Sequence, residues 1–339
     1  RLDLETASDK GVGAGPPGPR EPMETSVDDE TEEQFELCGE STLRLRRRAL
    51  LEWQSALPDK DASLFCLARR LSLGQFFISA ISLIWAKTSR RACHQQLWFD
   101  CMNMCDVLAA RGLNMTGQTT SHAIAVLRIL CKSQDATCSR LSDLLSRLTE
   151  LLPFGLAVQP TLPQDVDIAE IKILCRLGWQ INSPSFPSWL AAFSLRLRVL
   201  IRQRPAEQQM PDIDAVLAHL WRQSYACGTA LVMHVASLGP LAPRSMATGL
   251  LGLGCVRAGM LPLHGVRPDR FGSAEWEQVY AGAMGPAPSF RADPHTARNT
   301  QIFQRATDSS MDAIRDACGR VAEAVRDVSL AGSGQPVTV

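Results

Sequence analysis

Residues 167–190 read DIAEIKILCRLGWQINSPSFPSWL, and how this stretch is read decides the fold. Apolar side chains recur at helical spacing from Ile168 to Leu177. Gly178 follows, where a left-handed residue ends a helix. Asn182-Ser183-Pro184 turns the chain, and a second apolar helix starts at Phe186. Glu170 has two readings. With Asp167 as N-cap, Glu170 occupies the reciprocal position of a capping box, and its charge suits the positive end of the helix dipole. Alternatively, it faces a partner. Ile171, Leu174, Cys175 and Gly178 line one face, with Leu177 alongside and Trp179 packing past the stop.

The helical period continues in both directions. Upstream, helices are expected over 75–89, 95–111, 121–132 and 139–152, then 168–177 and 186–202. RQRPAEQQMPD, residues 202–212, reads as a linker with Pro205 and Pro211. Downstream, helices are expected from 213 towards 238, then over 244–254, 274–284 and 301–328. Almost nothing alternates with period two, so the class is all-α. The expected layout is a disordered acidic tail over 1–40 and a helical extension over 41–70. A first bundle over 71–203, a second over 212–290, and a C-terminal helix and tail over 291–339 complete it.

The bulk composition narrows the function. The chain has 339 residues, with 35 Lys+Arg against 35 Asp+Glu, so no global basic field holds nucleic acid or an anionic membrane. The most apolar runs, 76–86 and 249–256, fall short of the ~20 residues that span a bilayer. Eleven cysteines occur without a CxxC pair. Scattered thiols point to a reducing compartment, nuclear and/or cytoplasmic. The chain begins Arg-Leu-Asp-Leu without Met, which suggests a fragment or a processed end.

No catalytic constellation is present, and no cofactor is expected. GLLGLGCVRAG lacks the strand and the Lys of a phosphate loop. Cys93, His94, Cys101 and Cys105 cluster in sequence. Cys101 and Cys105 share a helical face, though, where free cysteines act as small core residues, so no metal is assigned.

The 167–190 stretch resembles the fifth helix of a cyclin box and its exit. The matching residues are Glu170, Leu174, Leu177, Trp179, Ile181, Pro184, Ser185, Trp189 and Leu190. Upstream landmarks fall in the family's order: Trp85 on the first helix, Asp106 with Asn103 on the second, and Lys132 closing the third. Downstream, Pro243, Ser245 and Ala247 open a small-residue helix similar to that of a second cyclin-type repeat. The resemblance covers residues 72–290 and is strongest over 98–190. The chain departs from the family at Ser79, where an Arg is usual, and in the longer stretch between Lys132 and Glu170. Ser133-Gln134-Asp135 also replaces the usual acidic residues. A second register would use Arg47 and Trp53 instead of Ser79 and Trp85.

The resemblance implies two tandem cyclin-box-like bundles and a regulatory role without enzymatic activity. It implies a heterodimer with a cyclin-dependent protein kinase, activating it in cell-cycle or transcription control. Lys132 and Glu170 would face the kinase. Ile81 and Trp85 would remain from a substrate-docking patch, and Asp106 and Trp179 would be structural. The alternative function is a cyclin-fold adaptor that binds proteins without activating a kinase.

Overall fold

The computed structural model describes residues 67–85, 91–113, 119–133, 162–181, 183–205, 213–234, 242–261 and 295–331. All of them lie within one compact unit, Glu40–Val339. Among the described residues there are nine α-helices and no strand, as the helical period requires. They are α1 (Leu67–Trp85), α2 (Arg91–Ala110), α3 (Thr119–Ser133), α4 (Pro163–Leu177) and α5 (Phe186–Arg202). Then come α6 (Ile213–His234), α7 (Pro243–Arg257), α8 (Thr296–Thr307) and α9 (Met311–Ala331). The acidic tail over 1–40, most of the 41–70 extension, the expected helices over 139–152 and 274–284, and Arg47 and Trp53 lie outside the described residues.

The first helices pack in sequence: α1 on α2, α2 on α3, α3 on α4. Phe76 and Phe77 of α1, Leu97 and Met102 of α2, Leu127 of α3 and Ile173 of α4 are fully enclosed. Each such side chain contributes about 1.5–3 kcal/mol by leaving water. A buried hydrogen bond fixes the α1–α2 register, the Trp98 indole N–H donating to the Gly74 carbonyl at 3.1 Å.

Helix α5 touches both halves. It packs on α2 but more extensively on α6, α7 and α8. Phe99 of α2 meets Phe186 of α5 at 5.6 Å and Tyr225 of α6 at 5.3 Å between ring centroids. Asp214 of α6 accepts from Arg198 and Arg202 of α5, each at 3.1 Å. The apolar core therefore runs without a break past the linker read at 202–212.

Helix α7 is buried continuously from Met246 to Cys255. Its glycines let α9 come close. A Cβ on Gly249 would stand 2.5 Å from the Ala317 carbonyl oxygen, and one on Gly252 would stand 2.9 Å from Cys318 Sγ. The long helix expected over 301–328 is instead two. Asp308 takes a left-handed conformation (φ 50) that ends α8, and the Ser310 hydroxyl caps α9 by accepting from the Ala313 N–H at 3.2 Å. Arg244 of α7 holds this break by donating to the carbonyls of Thr307 (3.1 Å) and Asp308 (2.8 Å).

Candidate functional site

The site is built on the seam of α3 and α4. Helix α4 starts earlier than its periodicity suggests. Pro163 occupies the first helical position, where a missing N–H costs nothing. Asp165 accepts from the Leu162 N–H at 3.1 Å and closes the N-terminus. Asp167 and Glu170 thus lie inside the helix, which corrects the capping-box reading. The signal lies in Leu162-Pro163-Gln164-Asp165, ahead of the start expected at 168.

Freed from the cap, both carboxylates reach across to α3. Arg128 Nη1 meets Asp167 Oδ1 at 2.6 Å, and Arg128 Nε meets Glu170 Oε2 at 3.2 Å. Lys132 Nζ pairs with Glu170 Oε1. Helical spacing explains the ladder: Arg128 and Lys132 share one face of α3, and Asp167 and Glu170 share one face of α4. The Glu170 side chain is 12% exposed and that of Lys132 43%, so the acid is held between helices while the ammonium reaches solvent. Lys132 also stands in the last turn of α3, where a cation suits the helix dipole.

The buried face of α4 is Val166, Ala169, Ile173 and Leu177. The core therefore takes a different face from the one that Ile171, Leu174, Cys175 and Gly178 line. Ile171 is 61% exposed and Cys175 is exposed, while Leu174 packs partly against the core. Gly178 does end the helix in the left-handed region, at φ 59. Trp179 follows it there, at φ 63, and is 68% exposed. The expectation that Trp179 packs is overturned, because two successive left-handed residues swing the indole outward.

The turn after α4 is pinned to α2. Asn103 Nδ2 donates to Ser183 Oγ at 3.3 Å, and Gln96 Nε2 donates to Ser185 Oγ at 2.7 Å. Arg111 donates to the Arg176 carbonyl at 2.8 Å, satisfying an end of α4. Asp106 is half-buried on α2.

The remaining sequence candidates separate. Ile81 is 3% exposed and belongs to the core, so it presents no docking surface. Trp85 is the last residue of α1. Cys101 and Cys105 are buried, and no three His, Cys, Asp or Glu among the described residues are grouped to hold a metal. Burial pushes the Cys101 thiol up, and neighbouring Cys105 and Cys131 push it further, which suits a protonated core residue. No helix among the described residues is long and apolar enough to cross a membrane.

No family model matches the chain, and a search of curated proteins finds no relative.

Proposed function

We propose that the chain is a cyclin-like regulatory subunit, folded as two tandem cyclin-box-like repeats that share α5 at their junction. It binds a cyclin-dependent serine/threonine kinase as a heterodimer and activates it, in the nucleus and/or cytoplasm, in cell-cycle or transcription control. The observation that carries this reading is the meeting of Lys132 and Glu170, 38 residues apart in sequence, at one seam. The cyclin resemblance assigns those two residues to the kinase-facing surface. Beside them α4 turns Ile168 and Ile171 to solvent. A polar pair of fixed geometry next to exposed apolar area has the composition of a protein interface. In such a complex the subunit pushes the kinase αC helix inward, completing the kinase's own Lys–Glu pair and ordering its activation loop.

One observation favours the adaptor instead. Both Glu170 oxygens already have partners within the chain, Lys132 and Arg128, so the seam serves α3–α4 packing even without a kinase. Calorimetric titration of the purified chain into monomeric cyclin-dependent kinases separates the two. The kinase reading expects binding by at least one kinase, weakened by Lys132→Glu in a variant that keeps its helical signal. A folded chain that binds none of them supports the adaptor.

A further inference from the structure

All four exposed large hydrophobic residues among the described residues belong to one helix and its two ends. Leu162 (58% exposed) precedes α4, Ile168 (51%) and Ile171 (61%) stand on its outer face, and Trp179 (68%) follows it. Exposed Cys175 lies on the same outer stripe. At 100° per residue, Ile168, Ile171 and Cys175 fall together, opposite the buried Val166, Ala169, Ile173 and Leu177.

The arrangement is symmetric about the middle of the helix. Leu162 and Trp179 stand at nearly equal distances on either side of it. So do Asp165 and Arg176, on one flank of the stripe, each about 8 Å from the centre at the ordinary rise per residue. On that flank the end charges are opposite, acidic Asp165 near the start and basic Arg176 near the finish, with Lys172 close to the middle. An isologous interface requires a patch that is complementary to itself under a two-fold rotation. This patch meets that condition for antiparallel pairing. With the two Ile171 side chains at the dyad, Trp179 of one copy falls level with Leu162 of the other along the helix axis. Asp165 of one copy then falls beside Arg176 of the other. An unrelated partner would require no such symmetry.

We propose that the outer face of α4 is the interface of an antiparallel homodimer, occupied by a second copy of this chain. Trp179 is its aromatic anchor, presented by a left-handed backbone that is costly for a bulky side chain and is held by the Trp179 N–H donating to the Leu174 carbonyl at 2.9 Å. The proposal does not rest on the kinase reading. Both use α4, so a dimer and a kinase complex would exclude each other.

Sedimentation velocity of the full purified chain across micromolar concentrations tests it. The expected result is a monomer–dimer equilibrium that Ile171→Glu weakens by more than about tenfold, and Trp179→Ala also weakens. The circular dichroism of both variants should be unchanged, because both side chains are exposed. As a second readout, Ile171→Cys in a Cys175→Ser background should be joined by a short bismaleimide. Mass spectrometry would read this as a cross-link between the two substituted positions. A chain that stays monomeric throughout, or a dimer as strong with Ile171→Glu as without it, overturns the proposal.

Discussion

Helices α4 and α7 are both 15 residues long, and they bury themselves in opposite ways. Helix α7 is enclosed on every side, with α5, α6 and α9 packed around it. Its glycines stand where neighbouring atoms come too close for a side chain, the Ala317 backbone at Gly249 and the Cys318 and Leu220 side chains at Gly252 and Gly254. Helix α4 encloses one stripe, spends its carboxylates on α3, and leaves two isoleucines in water. A helix that is apolar all round belongs to a core. A helix with isoleucines and a tryptophan outside its buried stripe has surface left over for another molecule. Core packing and the proposed recognition are thus divided between two helices of equal length.

The contrast can be broken or sharpened by substitution. The largest effect is expected in α7, where Leu251→Ala should cost about 2–5 kcal/mol in denaturant unfolding, since the side chain is 1% exposed. Gly249→Val should cost about 1–3 kcal/mol or more by pushing α9 away, read as a lowered melting temperature. At the seam, Glu170→Gln should cost about 1–2 kcal/mol, because it weakens charge-assisted bonds to two cations of α3. On the outer face of α4, Ile171→Ser should change stability by less than about 0.5 kcal/mol. If it cost as much as Leu251→Ala, the distinction between the two helices would fail.

A smaller effect follows pH. Burial, together with Arg222 and Arg257, holds His219 of α6 below its usual 6.5. Its folded pKa lies under the unfolded one, so the unfolded chain takes the proton first. Stability should fall as pH drops just below 6.5, and His219→Gln should flatten that part of the melting profile. Asp214 acts in a lower window. Burial raises its pKa, but the hydrogen bonds and charges of Arg202 and Arg198 outweigh burial and hold it below 3.8. The stability it adds is present at neutral pH and is lost as pH falls below 3.8 through its folded value.

How much was legible in the sequence varies along the chain. Helix α5 is bounded at Phe186 and Arg202 as its periodicity predicts, because Pro184 and Pro187 punctuate its start and its apolar face is strong. The left-handed stop at Gly178 was equally plain. The start of α4 was not, because Asp167 and Glu170 carry a capping pattern that competes with Pro163 and Asp165. Which face of α4 the core takes was not legible either. Periodicity counts Ile171 as apolar and therefore inside, and a helix with apolar residues on two faces does not say which one the core takes. The break between α8 and α9 was written in Asp308-Ser309-Ser310, but apolar residues continue in phase across it. The cyclin resemblance placed Lys132 and Glu170 on one kinase-facing surface, but their pairing with each other was not anticipated. The part played by Arg128 was missed, although its spacing of one turn from Lys132 places both on one face.

The central claim is that the seam of α3 and α4 serves a kinase. Its most direct test is phosphoryl transfer by a panel of monomeric cyclin-dependent kinases, each mixed with the full purified chain. The account predicts that at least one kinase gains activity by orders of magnitude, and that Lys132→Glu removes most of that gain. If no kinase gains activity from a chain with intact helical structure, the claim is contradicted.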